Sequence, residues 1–197
     1  LRLRRMSKND WVIQNAPLSS VGRTIIQLAK SLNLRTINIV RRPDAVQEVM
    51  ELGGDIALED GEALPSRVQK AIGKGKIKLA LDAVGGLSTW SLASCLDRDG
   101  MLVNYGMLSG ELCQIGPDQL IFNGINLQGF WLSRILNRLT EQERNDLFDE
   151  IIELMSSGTI HGIVDSCFSL NQIADALKRA ETPGRTGKVM LLPNGEL

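Results

Sequence analysis

Residues 11–40 hold two β-rich runs with a helical repeat between them, and this order constrains the fold more than any other feature of the chain. WVIQNA (11–16) reads as a strand. From Val21 to Leu32 the apolar residues Val21, Ile25, Leu28, Ala29 and Leu32 recur at helical spacing. RTINIV (35–40) is β-rich again. A strand, a helix and a second strand in this order imply a βαβ unit and a parallel sheet.

The alternation continues along the chain. DAVQEVMELGG (44–54) reads as a helix closed by glycine, DIAL (55–58) as a short strand and Ser66–Ile72 as a short helix. IKLALDAVGG (77–86) is a strand running into a double-glycine turn, and STWSLASCL (88–96) is a helix. GMLVNYGML (100–108) and INLQGFWL (125–132) read as strands. TEQE (140–143) is a capping box opening a helix with Leu147, Ile151, Leu154 and Met155 inward and Gly158 closing it. GIVDSCFSL (162–170), SLNQIADALKRAE (169–181) and GKVMLLP (187–193) read as strand, capped helix and strand. The expected fold class is α/β: a Rossmann-like, doubly wound parallel sheet with a C-terminal strand–helix–strand appendage.

Composition removes several function classes. With 197 residues, the chain makes one domain or one plus a small appendage. A net charge of −1 gives no general attraction to nucleic acid or to an anionic membrane, so neither is an expected partner. No apolar stretch is long enough to span a bilayer, and LRLRRMSKND (1–10) lacks the apolar core of a secretory signal. Cys95, Cys113 and Cys167 are odd in number and contain no CxxC, which fits free thiols in a reducing compartment. The one histidine, His161, reads as a loop or surface residue, so no metal site is expected.

The turn after the first strand, PLSSVG (17–22), carries a single glycine, Gly22, where a dinucleotide turn of GxGxxG type carries three. Ser19 and Ser20 stand in the remaining places; serine is small and can donate a hydrogen bond to phosphate. The helix that follows presents free N–H groups and a positive dipole end to any anion. An ordinary structural turn remains the alternative. After the second strand comes RRPD (41–44). In doubly wound folds this place lies over the adenosine ribose, and an arginine there accommodates the 2′-phosphate of NADP. Arg41 and Arg42 occupy it; the alternative is two solvated charges before a helix capped by Asp44. Tyr105 and Gly106 sit at a strand's carboxyl end, where such sheets bind ligands. Phe130 and Trp131 are adjacent, so on a strand they face opposite sides and at least one packs in a core. Lys188 alone reads as an exposed charge. Asp82 could serve a cofactor or cap the next helix, and the cap is the preferred reading.

DWVIQNAPLSSVGRTIIQLAKSLNLRTINIVRRPD, together with LALDAVGG, GMLVNYGML, LQGFWLS and GKVMLL, resembles the cofactor-binding domain of medium-chain dehydrogenases/reductases. Within them it looks like the zinc-independent trans-2-enoyl-CoA reductases of the mitochondrial type and their bacterial relatives, over nearly the whole chain. The resemblance implies that Ser19, Ser20, Val21 and Gly22 hold a pyrophosphate. Arg41 and Arg42 would take the 2′-phosphate of NADPH. Tyr105, Gly106, Met107 and Leu108 would line the nicotinamide ribose, Phe130, Trp131 and Leu132 would pack near the carboxamide, and Lys188 would reach the cofactor from the last strand. Such turns more often read S-G-V-G, and Ser20 in the glycine place narrows the room for the pyrophosphate.

Relatives of this kind place a mostly β substrate domain ahead of the nucleotide domain. The resemblance therefore implies a C-terminal portion of a longer enzyme, with the proton donor outside it and the portion inactive alone. Residues 1–10 would end the connecting segment and 11–138 would form the NADP-binding Rossmann domain. Residues 139–197 would pack on the substrate domain. The implied reaction is NADPH-dependent reduction of the C2–C3 double bond of trans-2-enoyl thioesters. Alternatives are an NADPH:quinone oxidoreductase, with a quinone-like substrate, and, in another class, a non-catalytic nucleotide-binding module. A homodimer through the nucleotide-binding domain is expected, with GINLQGFWL as its candidate edge. The expected compartment is bacterial cytoplasm, or else the mitochondrial matrix.

Overall fold

The computed structural model describes residues 5–182 and 187–195. Residues 1–4 of the expected connecting segment and the C-terminal pair 196–197 lie outside the described residues. Alternating strands and helices follow the order β1 (Trp11–Asn15), α1 (Ser20–Ser31), β2 (Arg35–Val40), α2 (Asp44–Glu51), β3 (Ile56–Glu59), α3 (Leu64–Ile72), β4 (Ile77–Asp82), α4 (Leu87–Cys95) and β5 (Met101–Asn104). Then come α5 (Pro117–Ile121), β6 (Asn126–Gly129), α6 (Leu132–Leu136) and α7 (Glu141–Ser156). The last elements are β7 (Val164–Ser169), α8 (Ile173–Glu181) and β8 (Lys188–Leu192).

Six strands form one sheet in the order β3-β2-β1-β4-β5-β6, and every pairing is parallel. That is the doubly wound order whose direction reverses between β1 and β4. A parallel strand in such a sheet is covered on both faces, and all five residues of β1 are buried. Val12 points to the layer under α1, with Ile25, Ala29, Leu79 and Val103. Ile13 points to the opposite layer, with Ile37, Val68, Leu92 and Leu102. Each such fully buried aliphatic side chain is worth about 1.5–3 kcal/mol. Helix α1 forms because Ile25, Ile26 and Ala29 share its sheet-facing side and the Ser19 hydroxyl accepts from the Gly22 amide at 3.1 Å.

β7 and β8 form a separate parallel pair joined through α8, which is the expected strand–helix–strand unit. The Thr140–Glu143 capping box at the start of α7 is present: the Glu143 amide donates to Thr140 Oγ1 at 3.2 Å and the Thr140 amide to Glu143 Oε2 at 2.8 Å.

Several boundaries differ from the sequence reading. The strand expected over 100–108 ends at Asn104, where the Asn104 side-chain Nδ2 donates to the Gly106 carbonyl at 3.0 Å across the turn that follows. The strand expected over 125–132 ends at Gly129: Phe130 makes one more bond, to the Asn104 carbonyl, and then Leu132 begins a helix. Asp44 does not cap α2; Pro43 holds that position, and Asp44 lies in the first turn. In α7, Leu147, Ile151 and Leu154 are half-buried, but Met155 is 57% exposed and no residue of the helix is fully buried. The short helices α5 and α6 are too brief for a periodic signal. His161 is exposed in the loop before β7, where its backbone amide donates to Gln27 Oε1 at 3.1 Å.

The layers differ in how they present thiols. Cys113 and Cys167 are exposed, while Cys95 packs against the layer under α3 and α4. Burial, with the Asp60 charge adding to it, pushes the Cys95 thiol up to about 12. A maleimide or iodoacetamide time course at pH 8 is therefore expected to label two cysteines quickly and Cys95 last. Equal labelling of all three would contradict this packing.

Candidate functional site

At the β1/β4 reversal the helices on either side diverge and leave a crevice above the carboxyl ends of the strands. It holds a cavity of about 580 Å³, walled by the 15–19 turn, the end of β2, and the loops after β4 and β5. Three local devices build it.

The first is the turn between β1 and α1. Ala16 adopts φ 47, in the left-handed region that a side chain seldom enters. Its carbonyl accepts from the Ser19 amide at 3.0 Å, which closes the turn. Gly22 is required by contact and not by its dihedral: a Cβ there would lie 2.5 Å from the Ala16 carbonyl oxygen and 2.6 Å from Pro17 Cα. Helix and turn thus pack backbone on backbone, as the last glycine of a dinucleotide fingerprint allows. Ser20 begins the helix with its side chain exposed and no positive φ. The Ser20 and Val21 amides have no intrahelical acceptor, and no hydrogen bond involves them among the described residues. Two donors at a helix N-terminus are therefore left unpaired among the described residues.

The second device is a buried carboxylate. Asp82, fully buried at the end of β4, receives five hydrogen bonds. Oδ1 accepts from Asn15 Nδ2 at 2.7 Å and from the Val84 and Gly85 amides at 2.9 and 3.0 Å. Oδ2 accepts from Thr89 Oγ1 at 2.6 Å and Asn104 Nδ2 at 3.2 Å. Asn15 in turn accepts from the Ala83 amide and donates to Ser88. Burial pushes this carboxyl up, but the bonds from Thr89, Asn15, Gly85 and Val84 outweigh it and hold the group below its ordinary 3.8. Asp82 thus caps the β4–α4 turn; the helix N-cap itself is Gly86, which has no side-chain bond.

The third device is a group of arginines beside the end of β2. Arg41 and Arg42 are both exposed and both wall the cavity. Arg42 lies 3.6 Å from the Asp44 carboxylate, a loose surface pair. Arg23, on α1, is 7% exposed and reaches the same wall.

Of the residues singled out in the sequence, Ser19, Arg41, Arg42 and Leu108 wall the cavity. Ser20, Val21 and Gly22 form the helix start beside it. Gly106 packs its backbone on the β4 turn, since a Cβ there would lie 2.5 Å from the Ala83 carbonyl oxygen. Met107 is 75% exposed in the loop that follows. Tyr105 packs into the layer under α1. Its hydroxyl oxygen is buried without an aligned hydrogen bond, although Ser19 is its polar neighbour. Burial and the Asp82 charge push that phenol up to about 12, with Ser19 acting in the opposite sense. Phe130 is half-buried against the same layer, whereas Trp131 is 70% exposed and Leu132 56%. Lys188 is exposed at the start of β8, away from the cavity wall.

Asn15 and Arg23 escaped the sequence reading as site residues. The signal was present in both cases. Gln14 and Asn15 are polar in a strand buried on both faces, where apolar side chains are the rule. Arg23 falls on the buried side of α1, between Gly22 and Ile25.

A doubly wound sheet with a glycine-packed helix N-terminus and a basic wall over β2 defines a nucleotide-binding α/β domain. Residues 20–157 match the family described as zinc-binding dehydrogenase. The chain belongs to that family, within the medium-chain dehydrogenases/reductases. The mitochondrial enoyl-[acyl-carrier-protein] reductase of Dictyostelium discoideum is 34% identical over 192 residues, covering 95% of this chain and 55% of the relative. An NADPH quinone oxidoreductase of Kluyveromyces marxianus is 32% identical over 169 residues, covering 78% and 43%. Among solved structures, the mitochondrial 2-enoyl thioester reductase heterodimer from Candida tropicalis superposes with a TM-score of 0.79 at 25% identity, covering 91% of this chain and 53% of that one. The chain spans about half the length of the curated relatives it matches. Although the family's description carries zinc, no group of three or more His, Cys, Asp or Glu that could hold a metal occurs among the described residues.

Asp82→Ala would leave five donors without their acceptor, at about 1–3 kcal/mol for each buried group that stays unpaired. A total loss of about 3–5 kcal/mol in urea unfolding is expected after relaxation. The lowered carboxyl also sets a sign for pH. The folded chain binds fewer protons than the unfolded one, so the Asp82 contribution is complete above 3.8 and lost as pH falls through the lower folded value. Asp82→Asn should flatten that acid limb. A wild-type limb retained in Asp82→Asn would reject this assignment.

Proposed function

We propose that this chain is the NADPH-binding part of an oxidoreductase that reduces the C2–C3 double bond of trans-2-enoyl thioesters, carried on coenzyme A or acyl carrier protein. One observation carries the reading: Ser19, in the turn that opens α1, and the Arg41–Arg42 pair wall the same crevice, with the open Ser20 and Val21 amides at the helix start beside it. Those donors match the pyrophosphate and the 2′-phosphate of a phosphorylated dinucleotide. The name of the Dictyostelium relative supports the substrate class, and that of the Candida structure supports a thioester.

In this reading the Ser20 and Val21 amides, with Ser19 and Gly22, hold the pyrophosphate. Arg41 and Arg42 take the 2′-phosphate. Tyr105, Gly106, Met107 and Leu108 border the nicotinamide ribose, and Phe130, Trp131 and Leu132 border the carboxamide. Lys188 would approach from β8. NADPH, when bound, supplies a hydride; the chain's own share is to orient and desolvate it. No proton donor is assigned among these residues, since the one tyrosine, Tyr105, is turned into the layer under α1. Residues 11–138 form the nucleotide-binding domain and 139–197 an appendage that packs on a substrate domain. The exposed Phe148, Ile152 and Met155 on α7 suit such a partner surface. A homodimer would pair β6, which lies at one edge of the sheet. No helix among the described residues is long and apolar enough to cross a membrane. The names of the enoyl reductase relatives favour the mitochondrial matrix over bacterial cytoplasm.

The Kluyveromyces relative supports a second reading, reduction of quinones by NADPH. A longer protein that carries this chain separates the two: crotonyl-CoA turnover with NADPH supports the first, and turnover of quinones alone rejects it. Nucleotide binding without turnover of either leaves the non-catalytic module. Binding by the 197-residue chain is measurable through the fluorescence of Trp11, Trp90 and Trp131. Arg41→Ala combined with Arg42→Ala should weaken NADPH by about 1.5–3 kcal/mol for each lost charge-assisted contact and leave NADH nearly unchanged. Equal affinity of the wild-type chain for NADPH and NADH would contradict the proposal.

A further inference from the structure

The cavity wall beside β2 contains more charge than the two exposed arginines. Arg23 and Glu48 also line it, and so does Asp60 at the end of β3. Arg23 is held at three places. Its apolar stem is buried on the sheet-facing side of α1, its Nε donates to the Leu18 carbonyl at 2.9 Å, and one terminal nitrogen pairs with Glu48 Oε1 at 2.5 Å. The Arg23 side chain is 9% exposed, whereas the Glu48 side chain is 39% exposed. Glu48 therefore presents a carboxylate to the crevice, and Arg23 is its one cation within salt-bridge distance among the described residues.

This arrangement matters because of what the wall must tolerate. A 2′-phosphate on the adenosine ribose brings further negative charge to the end of β2. The charged groups around it are Arg41 and Arg42 after β2, Asp44 and Glu48 on α2, Asp60 after β3 and Arg23 on α1. Asp44 is already drawn toward Arg42. With Arg23 in place, Glu48 is neutralised from the buried side, and the three arginines balance the three carboxylates. Without it, a bare carboxylate stands where the phosphate would lie, and like charges in a partly desolvated site repel strongly.

We propose that Arg23 is a positioning and specificity-determining residue: by pairing with Glu48 it keeps the ribose end of the crevice open to a 2′-phosphorylated adenine nucleotide. The inference rests on the NADPH reading above. It deepens that reading by assigning discrimination between phosphorylated and unphosphorylated ribose to a buried ion pair as well as to the exposed arginines. The bond to the Leu18 carbonyl gives Arg23 a second role, since it ties the phosphate-facing turn to α1 and, through Glu48, to α2.

The test is a set of titrations of the 197-residue chain with NADPH and with NADH, reading the ratio of the two affinities. Arg23→Met keeps the apolar stem and removes the charge; the ratio should fall on the order of tenfold. Glu48→Gln frees the Arg23 guanidinium toward the phosphate, and the ratio should rise by a few-fold. The double variant should return close to the wild-type ratio, a rescue that a purely structural role would not give. If Arg23→Met fails to fold, Glu48→Gln alone still decides, because an unchanged or lowered ratio overturns the inference. A loss of NADPH and NADH in equal measure in Arg23→Met, not rescued by Glu48→Gln, also overturns it and leaves Arg23 only the turn to hold. Failure of the wild-type chain to bind either nucleotide would instead remove the NADPH reading itself, and this inference with it.

Discussion

The Asp82 carboxylate is the constraint on which the crevice depends. It is fully buried, and it is ionised more readily than an ordinary aspartate because five donors converge on it. Those donors come from the end of β1, the turn after β4, the first turns of α4 and the end of β5. A buried charge without partners would be costly, and one that is fully bonded fixes the relative positions of everything that bonds it. Three strand ends and one helix start are thereby held around the place where the sheet reverses direction. The cavity wall at Asn15, Val84 and Ser88 is the outer surface of that network.

On the other side of the reversal the same rigidity comes from close packing. Gly22 lets α1 lie on the Ala16–Pro17 backbone, and Gln14 reaches across to the Gly22 carbonyl at 3.1 Å. The strained φ of Ala16 is held by the bond from the Ser19 amide to its carbonyl. The amides of Ser20 and Val21 are left open because helix geometry gives them no acceptor. Arg23 extends this half of the site toward α2, joining the turn at Leu18 to Glu48 on the cavity wall. Function, in this account, is a consequence of two rigid halves that leave arginines on the wall of the crevice and unpaired amides at the helix start beside it.

Much of this was legible in the sequence. The alternation of periods from Trp11 to Leu127 gave the parallel sheet, because strands buried on both faces and amphipathic helices leave different repeats. The crevice walls at Ser19 and Arg41–Arg42 followed from their places after β1 and β2. What remained hidden was tertiary. The end of β5 is set by an Asn104 side chain, and the end of β6 by the start of α6, neither of which leaves a periodic trace. Asn15 and Arg23 carried a signal, polarity on a buried face, but their partners Asp82 and Glu48 are distant in sequence. Met155 was read inward from its spacing alone, yet spacing cannot say whether anything covers that face.

The most direct test of the central claim is an amide-resolved NMR titration of the chain with oxidised NADP. The account predicts that the largest shifts fall on the Ser20 and Val21 amides and on the backbone beside Arg41 and Arg42. Shifts confined to other surfaces, or no saturable change at all, would contradict it.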